Sequence, residues 1–171
     1  MKNNLSYIIC LFLFVVLFFH NKINANEISF SASEILITDN GNIANAGQGS
    51  AYSEVDNIKI DGESFKFDKN NSILIANNAR TILSEKNIEL IADQLIYDQK
   101  VSTIKALGNV EINDLLNNIQ FKSEEAIYNK NKRAITSNTK SSLLDKPGNN
   151  FITEQFIYTF DDNLIKIFKS K

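Results

Sequence analysis

Two carboxylate pairs, Glu124-Glu125 and Asp161-Asp162, are the residues of this chain best suited by type and spacing to chemistry. Paired carboxylates can act as acid and base in glycoside hydrolysis. Neighbours on a strand point to opposite faces, however, and the second pair falls in a stretch that reads as a turn. Both pairs therefore read as solvated charges and turn formers. Gly47-Gln48-Gly49 has the look of a phosphate loop, but no Lys-Ser/Thr follows it and no helix offers an N-terminus to an anion. A hairpin or bulge accounts for it better. Lys130, Lys132 and Arg133 could meet an anionic headgroup or simply form a solvated turn.

The rest of the chain narrows the chemistry further. Lys2 precedes an unbroken apolar run of 12 residues, Ile8 to Phe19, and Ile23-Asn24-Ala25 follows as a cleavage site. A bilayer-spanning helix needs roughly 20 apolar residues, so residues 1–25 read as a secretory signal peptide. Cys10, His20 and Met1, each the single residue of its type, lie within it. The remaining domain, residues 26–171, has no Cys or His for a nucleophile–base pair or a zinc site. The expectation is a protein that is not an enzyme and has no cofactor, no catalytic residues and no metal. Without the leader, 16 Lys and Arg stand against 20 Asp and Glu, and no basic stripe suits nucleic acid. One domain is expected, since no linker or low-complexity tract interrupts the sequence.

The elements that would position any site come from a repeat of about thirty residues. An aromatic-plus-acid or amide step recurs at Phe67-Asp68, Tyr97-Asp98, Tyr128-Asn129 and, less closely, at Thr38-Asp39 and Tyr158-Thr159. An alternating apolar run precedes each, as in Ile58-Lys59-Ile60 and Ile88-Glu89-Leu90. Period-2 alternation over Ser72–Ala76, Ser102–Ile112 and Phe151–Tyr158 predicts half-buried antiparallel strands. Leu83 to Ala92 is read as strand as well. Turns are expected at 39–42, 68–71, 98–100, 129–132, 147–150 and 161–163, where Asn, Asp, Gly and Lys cluster.

Within each repeat the alternation slips by one residue. Ile88 and Leu90 are followed by Leu95 and Tyr97, and the small residues Ala32, Gly62, Ala92 and Ser123 sit near the slips. A slip would turn the core face outward unless the strand bends there, and a bend lets one strand serve two sheets. An apolar trough between such sheets would suit acyl chains, held by about 0.8 kcal/mol per buried methylene.

Two stretches resemble a known family. Ile88-Glu-Leu-Ile-Ala-Asp-Gln-Leu-Ile-Tyr-Asp98 and Ala106-Leu-Gly-Asn-Val-Glu-Ile112 are similar to the signature of the OstA-like family of periplasmic lipopolysaccharide-transport proteins, which comprises LptA, LptC and the N-terminal domain of LptD. Weaker copies are Ala32-Ser-Glu-Ile35 with Ala44-Asn-Ala-Gly47, and Ser123-Glu-Glu-Ala-Ile-Tyr-Asn129. The resemblance covers residues 27–168, although Thr38 replaces an aromatic and Ser137-Asn-Thr139 replaces the Gly-Asn-Val step. It implies an all-β, twisted antiparallel β-jelly roll. It implies also a periplasmic or outer-membrane-associated carrier of lipid A acyl chains that meets membranes only through its partners.

Such a carrier would bind lipopolysaccharide and pair by strand addition with other jelly rolls of the family. The groove candidates are Ile35, Ile37, Phe65, Phe67, Ile73, Ile75 and Leu95, followed by Tyr97, Ile104, Val110, Ile112, Phe121, Phe156 and Tyr158. The edge-pairing candidates are Ile28, Phe30, Leu164, Ile165 and Ile167. Three alternatives remain open at this point: an LptC-like anchored form, the N-terminal part of an LptD-type protein, and a β-solenoid adhesin or glycan-binding module.

Overall fold

The computed structural model describes residues 28–84 and 86–168. The expected signal peptide lies outside the described residues. Their secondary structure is almost wholly strand, with one short 3-10 turn at Asp39–Gly41 and no α-helix. In chain order the strands are β1 (Ile28–Ala32), β2 (Ile35–Thr38), β3 (Ile43–Ala46), β4 (Gly49–Ser53), β5 (Ile58–Gly62) and β6 (Ser64–Asp68). Four long strands follow: β7 (Ile73–Leu83), β8 (Ile88–Asp98), β9 (Thr103–Asp114) and β10 (Ile119–Asn129). The chain continues through β11 (Ala134–Ser137), β12 (Ser141–Leu144), β13 (Asn150–Thr153), β14 (Gln155–Thr159) and β15 (Leu164–Phe168).

All the strands join one open, antiparallel sheet. The first half of β7 pairs with β6, while Arg80 and Thr81 in its second half pair with β5. Likewise β10 meets β12 through 120–122 and β11 through 127–129. The sheet thus forks at both ends of its long central strands, and its two halves form two layers. Layer one holds β2, β3, β6, β11, β14, β15 and residues 73–77, 94–98, 103–107 and 125–129 of the long strands. Layer two holds β1, β4, β5, β12, β13 and the other halves.

Between the layers every long strand crosses a crease. Burial changes phase there on β7, β8 and β10, while β9 keeps its phase, from Ile104 and Ala106 to Val110 and Ile112, by taking an extra residue at the bend. On β7 the buried residues are Leu74 and Ala76, then Ala79, Thr81 and Leu83; on β8 they are Ile88, Leu90 and Ala92, then Leu95 and Tyr97. Asn78 takes the turn with φ 43°, and β9 takes it with Gly108 at 72° and Asn109 at 44°. The register shifts opposite 91–94 of β8 and 123–125 of β10, because β9 bulges there with one residue more than each partner. Gly108 is required at this place, because a Cβ there would lie 2.5 Å from the Asp93 carboxylate, which instead accepts a 2.9 Å bond from Asn109 Nδ2. The corners expected from the phase slip are therefore present.

Successive folded strands are always neighbours, so the connections are hairpins or continuations across the crease. Leu83 to Ala92 is not one strand: β7 ends at Leu83 and β8 begins at Ile88. Turns at 54–57 and 115–118, and one between β7 and β8, are additional to those expected; Val55 disguises the first, and Leu115 and Leu116 the second. Each ends on a left-handed Asn, at Asn57, Asn87 and Asn118, with φ of 53°, 51° and 54°.

The layers face each other through aromatic rings. Phe30 of layer two meets Phe65 at 5.9 Å between ring centroids, and Phe121 of layer two stacks on Phe156 at 4.6 Å. Replacement of the fully buried Phe121 by Ala is expected to cost about 3–5 kcal/mol. The outer-face Ile82→Ala should cost no more than about 1 kcal/mol. Chemical denaturation of both variants checks the layer assignment.

Candidate functional site

The candidate site is the interior between the layers. From layer one it receives Phe65, Phe67, Leu74, Leu95, Tyr97, Ile104, Ile135, Phe156 and Tyr158, and from layer two Ile60, Ile88, Leu90, Val110, Ile112 and Phe121, all buried. Their strands put them there by simple pairing. Phe67 sits opposite Leu74, which sits opposite Tyr97, which sits opposite Ile104, so one inward row crosses four strands.

Ten of the fourteen sequence candidates lie in this interior: Phe65, Phe67, Leu95, Tyr97, Ile104, Val110, Ile112, Phe121, Phe156 and Tyr158. Ile73 and Ile75 do not. Ile75 pairs with Lys66 and Ile96, and Ile73 with Asp68 and Asp98, which puts both on the outer face of layer one. Leu74 and Ala76 occupy the inward positions instead. Counting two-residue steps within Ser72–Ala76 does not reveal which phase is inward; alignment to Phe65 and Phe67 across the hairpin would have done so.

Ile35 and Ile37 share the inward face, through Ala46 with Phe65 and through Ala44 with Phe67, yet they are 49% and 63% exposed. They stand at the end of the stack, where no opposite strand among the described residues covers them. At the other end Phe151, opposite Leu143 and hence Phe121, and Ile167, opposite Phe156, are similarly inward and uncovered. The edge candidates divide by strand. Ile28 is buried and Phe30 partly so in β1, while Leu164 and Ile167 are exposed and Ile165 half-buried in β15. Among the described residues β1, β2, β13 and β15 each pair on one side only.

Sequence reasoning missed a polar feature. Along the rim opposite the crease, two tyrosines of layer one donate to carboxylates of layer two. Tyr97 Oη donates to Asp56 Oδ2 at 2.6 Å, and Tyr158 Oη donates to Asp114 Oδ2. Asp56 also accepts from Ser102 Oγ at 3.1 Å and from Lys130 Nζ at 3.2 Å. Asp114 also accepts from the backbone N–H groups of Leu116 and Asn117 and from Asn117 Nδ2. The partners are 41 and 44 residues apart, and the two clasps recur two repeats apart. Counting back a similar offset from Tyr128 reaches another acid, Glu85, which lies outside the described residues. The recurring aromatic was legible; that its hydroxyl grips an acid of the other layer was not, because no local spacing encodes it.

Burial, then the neighbouring carboxylate, pushes both tyrosines well above the ordinary phenol range. Burial alone would raise Asp114, but the bonds from Tyr158, Asn117 and Leu116 outweigh it and hold the carboxyl below its ordinary value. No group of three or more metal-ligating side chains occurs among the described residues. Searches of protein-family models and of curated proteins return no match to this chain.

These shifts set a pH window. A tyrosine raised in the folded state stabilises below its unfolded value of about 10 and loses that contribution as pH rises beyond it; a lowered Asp stabilises above about 4 and loses it on acidification. Stability is expected to be flat between these limits. Tyr158→Phe should cost about 1–2 kcal/mol near neutrality and make the alkaline fall shallower, read from thermal midpoints across pH.

Proposed function

We propose that this protein carries acyl chains of lipopolysaccharide across the periplasm within the interior between its layers, as a twisted jelly roll of the OstA-like kind. The observation that carries the reading is an apolar inward face that runs through every folded strand and continues, uncovered, at both ends through Ile35 and Ile37 and through Phe151 and Ile167. At about 4.8 Å per strand, ten folded strands extend this face over about 45 Å. Non-directional burial of methylene groups is the recognition such a surface provides.

The unpartnered edges of β1 and β2 at one end, and of β13 and β15 at the other, suit strand addition from neighbouring proteins of like fold. The uncovered inward residues would then find their missing opposite layer, and the apolar path would continue from one subunit to the next. A parallel β-solenoid is a poorer account, since every strand pairing among the described residues is antiparallel.

A photoreactive residue in place of Phe67 or Phe121 should capture lipopolysaccharide at least several-fold better than one in place of outward Ile75 or Ile96. Equal capture from both faces, or none from the inward positions, would sink the reading.

A further inference from the structure

The interior as described is closed. Leu95, Ile104, Ile112, Phe121 and Phe156 are each 0% exposed, so the space between the layers is already filled with side chains. A carrier with such an interior must part its layers before an acyl chain can enter. The layers are covalently continuous at the crease and held only by side chains at the rim, so the crease is the hinge and the rim is the mouth.

We propose that the two tyrosine–carboxylate clasps, Tyr97 with Asp56 and Tyr158 with Asp114, are the catches whose release opens this mouth to lipid. The inference rests on the acyl-chain reading above and adds the route by which the chain gets in. The clasps join the hairpin ends of layer two to the far ends of layer one strands, at a distance from the crease where a small hinge rotation gives the widest gap. They are built from polar groups at the rim of an interior whose large side chains are mostly apolar. Such groups regain water when the mouth opens, so parting them costs less than exposing the same area of hydrocarbon. Beside the first clasp, Gln99 donates through Nε2 to Ser53 Oγ at 3.3 Å, and its buried Oε1 has no hydrogen-bond partner among the described residues.

The crease is suited to the hinge. Asn78, Gly108 and Asn109 all have positive φ there, and the ladders skip Asn78 opposite Asp93, 92–93 opposite 108–110, and Glu124 opposite 108–109. The hinge row therefore carries fewer ladder contacts than the layers it joins.

The test bridges the mouth and reads lipid entry. In a Cys10→Ser background, Asp56→Cys and Ser102→Cys place thiols on facing rim residues, since the native Ser102 Oγ lies 3.1 Å from Asp56 Oδ1. A short bis-methanethiosulfonate linker joins them, and a reductant removes it. Uptake of fluorescent lipopolysaccharide by the linked protein is expected to be at least tenfold slower than by the same protein after reduction. The Tyr97→Phe/Tyr158→Phe pair should load several-fold faster than wild type, with circular dichroism reporting whether the fold is kept. Linked and reduced protein loading at the same rate would overturn the catch while leaving the carrier reading intact. No uptake by the wild-type protein would overturn both.

Discussion

A strand shows alternate side chains to opposite faces, so one that buries apolar groups in two facing layers must change phase, or take an extra residue in a bulge, where it passes from one to the other. That requirement organises this molecule. Asn78, Asp93, the Gly108-Asn109 pair and Glu124 lie where the phase changes or the strand bulges, and they form a row across the central strands. Because the bend recurs at the same place, a single open sheet becomes two layers with a shared crease. The aromatic stacking of Phe121 on Phe156 and the rim clasps then depend on that fold-over.

Much of this was legible in the sequence. The slip between Leu90 and Leu95 marked the crease, and the Asn- and Asp-rich stretches marked most turns of layer one. The thirty-residue repeat, however, is a pair of folded strands, and three of the nine hairpin turns between described strands are not among those expected. Those at 54–57 and 115–118 carry Val55, Leu115 and Leu116, exposed apolar residues that disguise a turn, although the left-handed Asn before each following Ile was a usable sign. Ile73 and Ile75 illustrate a second limit. Alternation defines two faces but not which is inward, and only pairing with Phe65 and Phe67 decides it. The clasps lie beyond local pattern altogether, since their partners are separated by more than forty residues.

The same construction ties stability to the proposed role. A wholly apolar rim would seal the layers more firmly, whereas buried Tyr–Asp bonds hold a defined closed state with groups that water can also satisfy. The ends behave differently. There the inward face is left uncovered at Ile35, Ile37, Phe151 and Ile167, next to strands with one unpaired edge. On the proposed reading, a neighbour of like fold would bury these inward-facing end residues, as suits a unit in a longer path.

On the proposed reading, acyl chains lie between the layers. Intermolecular nuclear Overhauser effects between lipid A methylene protons and the protein test it most directly, because they report contact at individual rings. The account predicts cross-peaks to Phe121, Phe156 and Tyr158 on binding, with none to the outward Ile75 and Ile96. Cross-peaks confined to the outer face, or to the exposed end residues alone, would contradict it.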